Sequence, residues 1–447
     1  MYGRRKIYTD YSYVDERNIV EVLRNAYITH LQNRHEISTL YDIYKGKQEI
    51  LNKTKDIRPN INHKVCVNHA LEITSFKLGY TLGEPIQYIR RGDVELDEIT
   101  ALNDYMVDAD KVSADRELGE WLYICGVGYR MTLPSEPFDI YTLNPMNTFV
   151  VYHNGLGEPP VMAVTYVVKQ NNVELFSIYT KDKYYEIEAE KIIGTKPLSL
   201  GMLPIIEYNA NTSRLGSFEV VLPLLNAINE LESNRLDDVV QFVNSFLCIT
   251  GGTLDQEMFD QVNAYKMIAL PEGCDAKYIS GSLSQADLQT LKDNLYHEVL
   301  AITGLPSRND KGGGSSDNGV AVYLRSGYEQ AEVQALAFEQ SFKRSERNFL
   351  KLVLRIMRDT VGTKLEVKDL EIKFARRYTD NILTKTQAMI QLLDAGIEPS
   401  IAIASVGLWN DAYSVYEESK PYLEKWSVDN VRNNGQDIEE TQIADME

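Results

Sequence analysis

Two stretches of this chain carry apolar residues at helical spacing for longer than an ordinary compact domain needs. After Asn318, apolar or small side chains recur at Val320, Leu324, Tyr328, Ala331, Ala335, Phe338, Phe342, Phe349, Val353 and Ile356, the three-to-four spacing of one helix face. Roughly 40 residues at about 1.5 Å each make a rod near 60 Å long, with Gly327 as the expected kink or close-packing point. The second stretch, SFEVVLPLLNAINELESNRLDDVVQFVNSFLCI, puts Val220, Leu224, Leu225, Ile228, Leu231, Val239, Val243 and Leu247 on one broad side. Glu219, Glu230, Glu232, Asp237 and Asp238 supply the other. The pattern predicts a helix over 217–249 and a longer one over 319–359, with stripes wider than one subunit covers.

Shorter elements fill the rest. Residues 13–48 repeat the helical spacing through Val20, Val22, Leu23, Ala26, Leu31, Leu40 and Tyr44, until DIRPNINHKV breaks it. Val65, Val67, Ala70, Ile73, Phe76 and Leu78 predict the next helix, which Gly79, Gly83 and Pro85 end. A helix through Leu118, Trp121 and Leu122 runs into VVYHN, PPVMAVTYVVKQ, VELFSIYT, KYYEIEA and MLPIIEYN, β-branched or aromatic runs that predict one antiparallel meander. Between the two long patterns lie an insert with AYKMIALPEG and CDAKYISG as expected strands, and a helix over 284–303. After the rod come a strand, LEIKFARRY, and short helices carrying Ile390, Leu393, Ile401, Ile403, Val406, Tyr413, Tyr416, Tyr422 and Trp426. The fold class is α+β, predominantly helical.

The loop before the rod, GLPSRNDKGGGSSDNG, is glycine and small polar residues that bury nothing. It reads either as a surface linker or as a mobile element on a long lever, with Asp317 or Asn318 capping the helix that follows.

Charge narrows the function. Lys and Arg number 46 against 65 Asp and Glu, a formal charge of −19, which disfavours a protein that grips nucleic acid by neutralising phosphates. It suits a surface that lets DNA slide past, or plain solubility. Cys66, Cys125, Cys248 and Cys274 lack CxxC spacing, and MYGRRKIYTDYSYVDERN lacks a signal peptide's apolar core, so the chain reads as cytosolic with reduced thiols. No apolar run approaches the roughly 20 residues of a membrane span. The acidic end, Asp429, Asp437, Glu439, Glu440, Asp445 and Glu447 with only Arg432 against them, reads as a mobile tail.

The search for catalytic chemistry finds no constellation. His63 and His69, six apart, suit no common zinc spacing. Asp93, Glu95, Asp97, Glu98 and Asp104 fail as a calcium loop, with Glu98 where glycine belongs and Asp104 where glutamate does; they read as a solvated turn and helix start. Glycines 312–314 lack the lysine and hydroxyl of a phosphate loop. A cytosolic enzyme with an unrecognised carboxylate site stays open, without cofactor or metal. One basic constellation stands out: Arg344, Arg347, Lys351, Arg355 and Arg358 share a face of the rod, either to meet phosphates or to pair with carboxylates of a neighbouring helix or subunit.

The order of these elements resembles the portal proteins of tailed bacteriophages, particularly those of long-tailed phages of Gram-positive bacteria. LGYTLGEPIQY, MLPIIEYNANTSRLGSFEVVLPLLNAINELESNRLDD and DNGVAVYLRSGYEQ carry the likeness. The last stands where the family usually has Ser-Gly-Val-Ala-Leu; Asn318 replaces the serine, and the basic residues that usually follow are reduced to Arg325.

The resemblance implies a subunit with residues 1–216 as wing, 217–249 and 283–303 as stem helices, and 250–282 as a small α/β clip. It implies 304–318 as tunnel loop, 319–359 as the long kinked helix, 360–382 as a wing strand and 383–447 as helical crown and tail. Such subunits form a homo-oligomeric ring, dodecameric in the virion, assembled in the host cytoplasm and set at one capsid vertex. Double-stranded DNA passes through without sequence recognition. The implied partners are the terminase large subunit, a head-completion or adaptor protein, and the major capsid and scaffolding proteins, with no membrane. Arg308, Lys311, Gly312, Gly313, Gly314 and Asn318 are the implied DNA contacts of the tunnel loop, and Glu230, Asp237 and Asp238 the acidic lining of the stem. A virion or scaffolding protein without a DNA channel is the alternative.

Overall fold

The computed structural model describes residues 3–56, 59–91, 96–243, 246–250, 275–279, 285–307, 327–375, 382–409 and 412–423. They mix helix and strand, with more helix than strand. Two compact units emerge, Met1–Tyr41 with Glu72–Glu219 and Gly304–Glu447, and Asp42–Leu71 with Val220–Thr303.

The first unit opens with β1 (Ile7–Thr9) and α1 (Ile19–Tyr44). Asp15 starts this helix: its side chain accepts the Arg17 N–H and its carbonyl the Ile19 N–H, both at 2.9 Å, which satisfies donors that a helix start leaves free. Ile19, Val22, Leu23 and Ala26 then pack into one apolar core with a six-stranded sheet. The sheet is a meander of β5 (Thr148–His153), β6 (Pro160–Val168), β7 (Glu174–Tyr179), β8 (Lys183–Glu188) and β9 (Lys191–Pro197), with β1 added in parallel beside β5, Ile7 opposite Val151. Alternation shows in β8, where Tyr185 and Ile187 are buried and their neighbours are not.

A second core surrounds α7 (Tyr328–Thr360). Around it lie α2 (His69–Leu82), α3 (Leu96–Asp108), α4 (Lys111–Cys125) and an antiparallel sheet of β10 (Ile205–Asn209), β3 (Val127–Pro134) and β4 (Phe138–Leu143). Phe342, Phe349, Leu350 and Val353 of α7 are fully buried, in one cluster with Leu102, Leu118, Leu122 and Tyr208. β2 (Gln87–Arg90) pairs with β13 (Leu370–Lys373). Gly126, at φ 80°, turns α4 into β3; a Cβ there would come within 2.4 Å of the Arg214 backbone, so only glycine fits. The chain continues in α8 (Ile382–Asp394), α9 (Pro399–Val406), opened by proline at its first turn, and α10 (Ala412–Leu423).

The second unit holds α5 (Leu222–Val243), α6 (Gln285–Thr303) and an antiparallel pair, β11 (Phe246–Thr250) with β12 (Asp275–Ile279).

Several expectations change. The helix expected over 217–249 stops at Val243, and Phe246–Thr250 is strand. Phe-Leu-Cys-Ile-Thr is aromatic and β-branched, and its ladder to Asp275–Ile279 satisfies backbone groups that a frayed last helical turn would leave open. The single meander is two sheets, because β10 returns to pair with β3, Ile205 opposite Met131. Val65 and Val67 precede α2 rather than lying on it. Gly327, at φ 81°, stands immediately before α7, and the part of the expected rod that precedes it lies outside the described residues. The glycine-rich loop begins buried at Gly304, Leu305 and Pro306, against the expectation that it buries nothing; its residues from Arg308 on, the helix start expected after it, AYKMIALPEG, Asp93, Glu95 and the acidic tail lie outside the described residues.

Candidate functional site

The two sides of α7 carry opposite chemistry. On the inner side Glu346 stands between Phe342 and Phe349 in the apolar stripe and is 0 % exposed. Its Oε1 accepts the Tyr88 hydroxyl at 2.5 Å and faces Lys111 Nζ at 3.0 Å; its Oε2 accepts the Tyr208 hydroxyl at 2.6 Å and Arg130 Nη1 at 3.2 Å. Asp115, one turn beyond Lys111 on α4, pairs with Lys111 at 2.5 Å and with Arg130. All six residues are buried, and the two cations and two carboxylates balance, the condition on which charges survive away from water. Burial pushes the Glu346 carboxyl up, but Lys111, Arg130 and the two tyrosine hydroxyls outweigh it and hold the group at about 2. Burial and the neighbouring Glu346 also lift the Tyr88 hydroxyl well above its ordinary value, so it stays a donor. The network pins α7 to α4, β2, β3 and β10 at a fixed rotation.

That rotation sets what the outer side presents. Arg344, Arg347, Lys351, Arg355 and Arg358 are all exposed, within about 21 Å of helix. Among the described residues none of them has an ion-pair partner; Lys351 reaches only the Asn348 side chain, at 3.4 Å. The neighbouring Lys343 differs, with Glu339 at 3.7 Å and the Phe374 ring beneath it. Lys351, Arg355 and Arg358 wall a hollow of about 560 Å³ whose far side is Leu365 to Lys368.

In the second unit α5 uses its polar residues as a seat for its own chain. Asn229 accepts the Val67 N–H at 2.8 Å, Ser233 the Val65 N–H at 2.9 Å, and Asp237 the His63 N–H at 2.8 Å. Asp237 also takes the His63 ring Nδ1 at 2.7 Å and the Lys55 ammonium. The expectation that Asp237 lies on an exposed acidic face is corrected here: its side chain is fully buried. Burial raises its carboxyl, but Lys55 and both His63 donors bring it down to about 2. Glu230 and Asp238 are exposed. Glu230 and Asp237, seven apart, fall on nearly the same helix face; the extended segment over Asp237 separates their fates. Glu219 and Glu232 are also occupied, by Arg4 at 2.6 Å and Lys292 at 2.5 Å.

Sequence reasoning missed the Glu346 network and the Asn229–Ser233–Asp237 seat. For the first a signal existed, a glutamate at the apolar spacing between Phe342 and Phe349. Arg308, Lys311, Gly312, Gly313, Gly314 and Asn318 lie outside the described residues. Among the described residues no group of three or more His, Cys, Asp and Glu is placed to hold a metal ion, and no helix is long and apolar enough to cross a membrane.

Among solved structures, the chain is similar to one in the neck of an empty GTA particle computed with C6 symmetry, at 14 % identity, 76 % of this chain, 90 % of that chain and a TM-score of 0.46. It is similar to one in the neck of a native GTA particle computed with C12 symmetry, at 12 %, 76 %, 89 % and 0.46, and to one in the virion of a native gene transfer agent particle, at 12 %, 76 %, 89 % and 0.44. No curated protein matches the chain. The family model described as phage portal protein, SPP1 Gp6-like, matches residues 26–412, from within α1 to the first residue of α10. With most of its length inside that match, the chain belongs to the SPP1 Gp6-like family of phage portal proteins.

Proposed function

We propose that copies of this chain form the closed ring through which DNA enters and leaves the phage capsid at one vertex. The family match across residues 26–412 carries the reading. In the ring, α5 and α6 are the stem helices, β11 and β12 belong to the clip, and residues 308–318 lie in the tunnel loop. α7 links tunnel and wing, and α8 to α10 contribute to the crown. On this reading the first stem helix is Leu222–Val243.

DNA passes without being read. Glu230 and Asp238, exposed on α5, line the stem and keep phosphates from sticking, while Arg308 and Lys311 make transient phosphate contacts from the loop. The chain contains no phosphate-loop motif, so ATP hydrolysis belongs to a terminase large subunit docking on the clip. A head-completion protein binds the finished vertex, and the ring sits among capsid and scaffolding proteins as a dodecamer.

Electron micrographs of the purified chain are expected to give rings with an axial opening. Removing Lys311–Ser316 is expected to leave the rings intact and lower the DNA packaged per capsid. Monomers with native circular dichroism would overturn the ring; unchanged packaging would reduce the loop to a linker.

A further inference from the structure

The outer face of α7 gathers five exposed cations, Arg344, Arg347, Lys351, Arg355 and Arg358, on one stripe. With 65 acidic residues against 46 basic ones, several surface cations find carboxylates within the subunit: Arg24 with Glu190 at 2.7 Å, Lys183 with Glu16 at 2.8 Å, Lys169 with Glu188 at 2.9 Å and Lys373 with Glu371 at 3.0 Å. Arg344, Arg347, Lys351, Arg355 and Arg358 do not, although they stand together and repel one another. Within the subunit Glu158 and Glu366 act on Arg344 and Arg358 only at longer range than an ion pair, which leaves the stripe open to an anionic partner from outside the subunit.

A matching surface exists on the same chain. On α3, Ile99, Leu102 and Met106 are buried, and the opposite face shows Asp97, Asp104 and Asp108, all exposed and without an ion pair. These acids are spaced seven and four residues apart. Arg358, Lys351 and Arg347 repeat the spacing when read against the chain direction; Arg344, Lys351 and Arg355 repeat it along the chain direction. Both stripes cover about 17 Å, and Lys351 meets Asp104 in either orientation.

We infer that the α7 stripe of one copy docks on the acidic outer face of α3 in the next. The inference rests on the ring reading above and supplies a contact for it: two different patches of one chain make a heterologous interface, the kind that closes into rings. DNA is the less favoured occupant, because a ring of chains each carrying −19 repels phosphates at long range, while the spacing on α3 is already matched.

Two charge reversals of the full chain test this by sedimentation velocity between about 50 and about 500 mM salt. One is Arg347→Glu, Lys351→Glu and Arg358→Glu; the other is Asp97→Lys, Asp104→Lys and Asp108→Lys. All six side chains are exposed, and circular dichroism checks that each variant folds. Each variant alone is expected to lose rings about tenfold or more, the second despite its smaller net charge. An equal mixture of the two is expected to recover them, since every contact in an alternating ring is again between opposite charges. Rings that survive both reversals overturn the interface. So does assembly lost in the first variant and not recovered in the mixture, which gives the stripe another partner surface. Intact rings with weakened binding of a double-stranded fragment by the first variant make the stripe a DNA face instead. Absence of rings in the unmodified chain defeats the ring reading itself, and this interface with it.

Discussion

Asp237 holds His63 twice, accepting its backbone N–H at 2.8 Å and its ring Nδ1 at 2.7 Å. The pair is the last rung of a ladder in which Ser233 takes the N–H of Val65 and Asn229 that of Val67. Four residues of helix advance about 6 Å, and two residues of extended chain about 6.6 Å. Side chains at every fourth position of α5 therefore meet every second N–H of the segment, which has these alternate donors satisfied without a partner strand.

Removing the last rung is costly. Asp237→Ala is expected to destabilise the chain by about 2–3 kcal/mol in denaturant unfolding, through loss of hydrogen bonds to a charged acceptor, and to speed exchange of the His63 amide. A loss confined to His63 exchange, with global stability unchanged, would mean the segment is not part of the cooperative unit.

Glu346→Ala leaves Arg130 and Lys111 sharing Asp115 alone in a buried site. The expected loss is about 3–5 kcal/mol, the range for breaking a buried pair from one side, read as a lower melting temperature. Adding Arg130→Met is expected to recover part of it, since the stranded charge is then gone. No recovery would point to packing around Phe342 and Phe349 as the real loss.

Acid acts in two stages. His30 Nε2 donates to the Met146 carbonyl at 3.0 Å, and burial, against that carbonyl and with help from Arg34, lowers its ring from 6.5 to about 4. The unfolded chain therefore binds the proton first, and stability falls as pH drops from 6.5 to about 4, by about 3 kcal/mol in all. Glu346 and Asp237 have the opposite chemistry and the same direction: both are held at about 2, so their contribution is complete above the ordinary carboxylate range and is lost as pH falls towards 2. His30→Phe is expected to flatten unfolding free energy between pH 6.5 and 4 while leaving the lower stage; a slope that persists in that window would assign the first stage to another group.

Periodicity made several helices legible, because burial against a core enforces it: α1, α4 and α7 follow their apolar stripes. It failed where a long-range partner decided the matter. Phe246–Thr250 continues a helical pattern and becomes strand only because Asp275–Ile279 pairs with it, and β3 leaves the meander because Ile205–Asn209 returns to it. The candidate site divides the same way. The basic face of α7 could be read from spacing alone, whereas Asp237 looked like its exposed neighbour Asp238 until the segment over it was seen.

If exposed stem carboxylates keep DNA from sticking, Glu230→Lys with Asp238→Lys slows DNA packaging, because each lysine offers a phosphate contact where there was repulsion. Both side chains are exposed, so ring assembly and melting temperature are expected to stay near those of the unmodified chain. The defect is expected to ease as salt rises from about 50 to about 300 mM, when the screening length shortens to well under 10 Å. Asp237→Lys serves as the contrasting case, since it puts a cation where Lys55 and His63 already converge; it is expected to unfold the second unit whatever the salt. A packaging defect in the double variant that ignores ionic strength would therefore remove the two carboxylates from the channel and place them in a packing role.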